Sequence, residues 1–246
     1  MFKEIKEVDP DRRIIRVTTT DERWYVRPKA NATTGLPSYE YVPSSTWISS
    51  FYPKGTEFYK WLASKGWNEA EALKESAGDR GTRIHHAIED LLRGVPIQHN
   101  AVYDGVELSV DEYWAVMTFK SWWKTLPPDT ELLGMEYVVW NKEHGYAGTV
   151  DLKLKIGGLV WIIDIKSSKS VWPEHILQVS SYRHADACDK TGIIQVGYQR
   201  NRSGFKFTEI EDKFNLFLAA KTVWENECGK LVLPQREYPL EIKLND

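Results

Sequence analysis

Asp151, Asp164 and Lys166 are the residues whose types and spacing most directly suggest chemistry. Between the first two lies Ile156-Gly157-Gly158-Leu159, a pair of glycines flanked by alternating apolar runs, which predicts a two-residue hairpin turn. With Gly157-Gly158 as the turn, Ile156 faces Leu159, and counting outward sets Asp151 across from Asp164 on one face. Their β-carbons are then expected about 4.5–5.5 Å apart. Two facing carboxylates repel unless a divalent cation lies between them, and Mg²⁺ is held by such carboxylates together with phosphate oxygens. Lys166, two residues past Asp164, points to the same side, where an ammonium can position water and offset charge growing on a phosphate. Metal-assisted phosphodiester hydrolysis needs that combination. An Asp-x-Lys at a strand end is common, however, and by itself is a weak signal. The apolar run Leu159-Val160-Trp161-Ile162-Ile163 strengthens it, because charges at the end of an interior strand need partners.

Four further polar residues stand near this pair in pattern. Glu136, within Met135-Glu136-Tyr137-Val138-Val139-Trp140, falls opposite Asp151 if Trp140 pairs with Ala147; a solvent-facing Glu on a strand fits the spacing equally well. His85 shares a helical face with Glu89, and on spacing alone it reads as a structural histidine. Gln178 and Tyr182 lie one turn apart, with His175 on the same stripe, and on spacing alone they read as polar tips at the edge of a core.

The elements that must carry these residues follow from periodicity. Residues 13–17 and 22–27 predict a hairpin, followed by a polar loop from Pro28 to Pro43. Ser44-Ser45-Thr46 starts a short helix that Pro53-Lys54-Gly55 ends. Helices are expected over 56–65, 68–93 and 108–125, with residues 94–107 as a connection. The last of these helices carries two apolar stripes, Val110, Trp114 and Met117 against Val116, Phe119 and Trp123, and so is expected to be well buried. Strands are expected at 132–140, 147–156, 159–166, 192–199 and 205–210, with helices at 173–188 and 211–228. The order implies an α/β fold, a central mixed β-sheet flanked by helices with an N-terminal β-hairpin and helical additions.

Composition sets the limits. At 246 residues the chain is expected to form one domain: an N-terminal addition over 1–80, a core over 81–230 and a tail over 231–246. A net charge of −3 argues against a uniformly basic, nonspecific nucleic-acid binder, but it leaves room for acidic metal ligands beside a confined basic groove. The 11 Trp and 12 Tyr read first as core residues. Cys188 and Cys228 are too few for a disulfide framework or a four-thiolate cluster and read as reduced, mostly buried thiols. No apolar run approaches the roughly 20 residues that span a bilayer, and Met1-Phe2-Lys3-Glu4-Ile5-Lys6 lacks a signal-peptide core, so a soluble cytoplasmic protein is expected.

Four segments taken in order resemble the RecB- and Cas4-type branch of the PD-(D/E)XK nucleases. They are Gly81-Thr82-Arg83-Ile84-His85 through Glu89, Gly145-Tyr146-Ala147-Gly148-Thr149-Val150-Asp151, Asp164-Ile165-Lys166, and Gln178 through Tyr182. Val42-Pro43-Ser44-Ser45-Thr46-Trp47-Ile48, then Trp61 and Gly66, are more loosely similar to the lead-in of stand-alone phage exonucleases and the mitochondrial genome maintenance exonuclease. The resemblance implies a restriction-endonuclease-like core and Mg²⁺ or Mn²⁺ as cofactor. It implies His85, Asp151, Asp164 and the Ile165 carbonyl as metal ligands, with Glu136 as a further acid. Lys166 would be the catalytic lysine, and Gln178 and Tyr182 would help to hold site and DNA. The iron–sulfur cluster of some relatives is not expected from two cysteines. The function implied is a DNA exonuclease acting on single- or double-stranded ends in recombination, repair or replication, in a bacterial or phage-infected cell, with a recombination or replication protein as a partner. Two alternatives stand beside it: a structure-specific or restriction-like endonuclease on the same core, and a catalytically silent DNA-binding module.

Overall fold

The structure is a computed structural model and describes residues 2–29 and 38–229. The central sheet is mixed, as expected. It comprises β7 (Glu131–Asn141), β8 (Tyr146–Ile156), β9 (Leu159–Lys166), β10 (Lys190–Val196) and β11 (Phe205–Glu209), in spatial order β11-β10-β9-β8-β7. β9 and β10 run parallel, joined through α5 (Pro173–Ala185), and the other neighbours are antiparallel. On one side, α3 (Trp67–Leu92) and α4 (Val110–Trp123) bury Ile84, Ile88, Val116 and Phe119 against Leu152, Leu154, Ile163, Ile165, Ile194 and Val196. On the other, α5 packs Tyr182 against Val139, Val150 and Ile162.

The N-terminal hairpin is part of a larger sheet. β1 (Phe2–Asp9), β2 (Ile14–Thr19), β3 (Arg23–Lys29) and β4 (Ser38–Pro43) form an antiparallel meander. The expected loop from Pro28 to Pro43 is therefore corrected at its end: Tyr39, Tyr41 and Val42 pair with β3, as aromatic and β-branched residues favour, while residues 30–37 of that loop lie outside the described residues. The proposed tail over 231–246 also lies outside them. The sheet, α1 (Ser45–Ser49) and α6 (Phe214–Cys228) enclose a second, aromatic core. There Trp47 lies 5.2 Å edge-to-face from both Trp24 and Trp224. Tryptophan does serve packing at these positions, but Trp67 and Trp172 are exposed.

Other boundaries moved for identifiable reasons. α2 (Thr56–Lys65) and α3 meet at Gly66. Residues 102–103 and 106–107 add the two-residue strands β5 (Val102–Tyr103) and β6 (Val106–Glu107) to the expected connection. α4 is capped at Ser109, with Glu112 returning a hydrogen bond. Its expected burial on both stripes fails on one: Val110 is 86% and Met117 51% exposed. Only Trp114 of that stripe is engaged, against Gly197 and Gly204 in the β10–β11 loop. α5 ends at Ala185, short of the expected 188. The two cysteines are free and only half-buried. No helix among the described residues is long and apolar enough to cross a membrane.

Candidate metal centre

The turn at Gly157-Gly158 is formed, both glycines at positive φ, with Ile156 paired to Leu159. Pairing continues to Leu152↔Ile163 and stops one step short of Asp151. There a side chain replaces the backbone: the Ile165 N–H donates to Asp151 Oδ2 at 2.6 Å. Across β7, Trp140 pairs with Ala147, and Glu136 lies between Met135↔Leu152 and Tyr137↔Val150, hence opposite Asp151. Of the two readings left open for Glu136, the structure takes the one facing the acid pair.

Glu136 has φ 45°, a left-handed backbone that costs a non-glycine residue on the order of 1–3 kcal/mol. The cause is visible in the packing. Residues two apart on a strand normally share a face. Here Met135 and Leu152 pack towards α3 and α4, while Tyr137 and Val150 pack towards α5. Both strands therefore change sides at the facing pair Glu136 and Asp151, and the two carboxylates meet a helix that a regular pleat would not have offered them.

That helix is α3, and it delivers His85. His85 Nε2 lies 3.0 Å from the Ile165 carbonyl oxygen, which can only accept, so this nitrogen carries the proton. Nδ1 is turned to Glu136 Oε1 at 3.4 Å and Asp151 Oδ1 at 3.7 Å. One ligand atom each from His85, Glu136 and Asp151 fall within 4.8 Å of one another, close enough to share one cation. Both Ile165 backbone groups are thereby in use, one on His85 and one on Asp151.

Asp164 is 1% exposed, and neither carboxylate oxygen has a hydrogen-bond partner. Lys166 Nζ is 2.7 Å from Oδ2, so its ammonium is ion-paired with the buried carboxylate. Asp164 lies outside the cluster of His85, Glu136 and Asp151, whose two carboxylates and imidazole are a donor set that a hard divalent cation fits. Burial lifts the Asp164 pKa to about 6 against the pull of Lys166. Burial works to lower that of Lys166, but Asp164 and Asp151 outweigh it and hold the ammonium above its ordinary value. At His85 burial is likewise outweighed, by Asp151 and Glu136, and its pKa rises to about 9.

These shifts predict how the metal-free protein responds to pH. A group with a raised folded pKa contributes stability that is present below its unfolded pKa and lost as pH rises through the folded value. For Asp164 the window runs from 3.8 to about 6, and for His85 from 6.5 to about 9. In EDTA the melting temperature should therefore fall from pH 6.5 to 9, and the fall should be shallower in His85→Gln. Added Mg²⁺ should raise the melting temperature most at pH 9, because ligand deprotonation favours the ion. A melting temperature in EDTA that climbs over this range would contradict the assignment of charges.

Gln178 and Tyr182 join on α5, where Gln178 Nε2 donates to Tyr182 Oη at 2.6 Å. Tyr182 is buried, and its phenol is pushed well up by that burial and then by Asp164. His175 lies on the same helix three residues before Gln178, and its Nδ1 accepts the Trp172 N–H at 3.3 Å at the helix start. Tyr25 on β3 also reaches this area, and its hydroxyl lies 2.8 Å from Thr149 Oγ1 on β8. Nothing in local spacing marked Tyr25, because the contact joins residues 124 positions apart.

No family model matches the chain, and no curated protein matches it. Among solved structures it is similar to the alkaline exonuclease LHK-Exo from Laribacter hongkongensis, at 13% identity over 74% of this chain and 82% of that one, with a TM-score of 0.39. It is also similar to a protein designated SSO0001, at 13% identity over 58% of this chain and 82% of the other, with a TM-score of 0.34.

Proposed function

We propose that the chain is a Mg²⁺- or Mn²⁺-dependent deoxyribonuclease of the PD-(D/E)XK type that removes nucleotides from DNA ends. The observation that carries the hydrolytic reading is the cluster of His85, Glu136 and Asp151, close enough to share one cation, with the buried Asp164 carboxylate paired to Lys166 at 2.7 Å. A cation held by these residues would polarise a phosphoryl oxygen and lower the pKa of bound water. Asp151 is fixed for that role by the Ile165 N–H, and His85 by the Ile165 carbonyl. Lys166, kept protonated by the two aspartates, presents an ammonium to phosphate oxygens as negative charge builds on them. Tyr182, tied to Gln178, closes the apolar side behind the aspartates and keeps water from reaching them there. Action on DNA ends, and a role in recombination, repair or replication of the phage type, rest on the motif resemblance.

Linear DNA labelled at either end, single- and double-stranded, and a covalently closed circle would be incubated with Mg²⁺, Mn²⁺ or EDTA. Release of nucleotides from linear DNA in either metal, with none in EDTA or from His85→Ala, is the expected result. Cleavage of the closed circle would replace the exonuclease by an endonuclease. Degradation that persists in EDTA would end the metal-dependent reading.

A further inference from the structure

Two loops leave the sheet at the end that carries Lys166. β9 and β10 are parallel, with Lys166 paired to Gln195, so the segments after them, 167–172 and 197–204, emerge side by side. Gln195 Nε2 joins them by donating to the Ser168 carbonyl at 2.8 Å. Between them these segments contain Lys169, Arg200 and Arg202 and no acidic residue, in a chain whose net charge is −3. Among the described residues none of the three cations has a carboxylate within ion-pair distance, whereas Lys153, Lys155 and Lys190 on the same sheet each do. Lys169, Tyr198, Gln199 and Arg200 line a cavity of about 360 Å³. Trp172, in the first loop, is half exposed.

The second loop is built rather than loose. The Gly197 N–H donates to Thr118 Oγ1 on α4 at 2.8 Å, and the Tyr198 N–H to the Gly204 carbonyl at 2.6 Å. Gly197 and Gly204 both have positive φ, and a β-carbon on Gly204 would meet Trp114 at 2.9 Å. Arg200 and Arg202 thus stand on a turn that is already ordered, so less backbone entropy is lost there when a ligand arrives. Three residues of chain span at most about 10 Å, which keeps Lys169 close to Lys166.

We propose that this cavity is a subsite for the sugar–phosphate backbone of a single nucleic-acid strand, on the same strand as the bond cleaved at Lys166 and next to it. Lys169 and Arg200 take a neighbouring phosphate, and Tyr198 and Trp172 offer faces on which an unpaired base stacks. The proposal names the substrate form for the nuclease reading and rests on it for the position of the cleaved bond. Unpaired positive charge attracts the phosphates, and exposed rings favour unstacked bases over a duplex.

A fluorescein-labelled oligothymidylate would be titrated with protein in EDTA, at several salt concentrations, with anisotropy as the readout. Lys169→Ser/Arg200→Ser changes two exposed side chains and leaves the cluster of His85, Glu136 and Asp151 intact; Lys6→Ser on β1, which removes one exposed charge elsewhere, is the control for a general charge effect. The double variant should bind roughly tenfold more weakly, and its slope of log affinity against log salt should be shallower by about 0.7, the change for one lost phosphate contact on a single strand. Tyr198→Ser should weaken binding with the slope unchanged. Equal affinity and slope in the double variant and in Lys6→Ser, or tighter binding of a duplex of the same sequence, would overturn the subsite. Binding lost as expected from the variants, with no cleavage by the wild type in Mg²⁺ or Mn²⁺, would overturn the nuclease reading and leave the subsite in place.

Discussion

Replacing Lys166 by alanine is expected to lower DNA cleavage by about 10²–10³-fold, the loss typical of removing one preorganised group that stabilises developing negative charge. Divalent-ion binding should largely survive, because the cluster of His85, Glu136 and Asp151 is untouched. The metal-free variant should also melt earlier. Without the ammonium at 2.7 Å, Asp164 is a buried charge with no partner, and removing one member of a buried pair costs about 3–5 kcal/mol unless the survivor takes up a proton. Asp164, already lifted to about 6, would take one up near neutral pH. Lys166→Arg should restore the melting temperature better than the rate, since the guanidinium keeps the charge but not the compact ammonium geometry. Cleavage assays, Mn²⁺ titration and melts in EDTA together decide the matter. A Lys166→Ala protein cleaving at close to the wild-type rate would remove the lysine from the chemistry.

The second large effect is expected at a residue that carries no functional group. A β-carbon on Gly148 would stand 2.5 Å from Tyr182 Cε1 and 3.3 Å from Cζ, against a ring that is buried and tied through its hydroxyl to Gln178. The ring cannot swing away without leaving Val139, Val150 and Ile162. Gly148→Ala should therefore cost about 1–3 kcal/mol of stability, the usual range for overpacking. It should also slow cleavage, because the displaced ring lies close behind Asp164 and Asp151. Gly145→Ala is the comparison. Its added carbon meets nothing, so its activity should stay near wild type, although its positive φ also strains an alanine. Chemical denaturation and cleavage rates would be measured for both. An alanine tolerated at 148 without loss of stability would show that the strand and helix can move apart there.

How much of this was legible in the residues depended on the range of the contact. The bend at Gly157-Gly158 is local, and the pairing counted outward from it holds as far as Leu152↔Ile163, because a two-residue turn fixes register. Periodicity placed most helices and all five central strands for the same reason. What it missed was decided by distant partners. β4 looked like loop because Pro37 and Pro43 punctuate it, and only pairing with β3 reveals a strand. Val110 and Met117 on α4 have the apolar spacing of a buried face, yet among the described residues both stay exposed. His85 had no local mark of function either. Its partners, Glu136 and Asp151, lie more than fifty residues further on, and they meet it only because β7 and β8 change sides. No spacing rule contains a left-handed glutamate.

That change of sides ties the history of the site to the packing around it. Met135 and Leu152 adjoin Glu136 and Asp151 from one core, and Tyr137 and Val150 adjoin them from the other. A residue lost from either core therefore shifts one of these two carboxylates, and a second change on the opposite layer is what corrects the shift. Drift in descendants of this chain should proceed through such paired replacements at these positions, with effects that do not add.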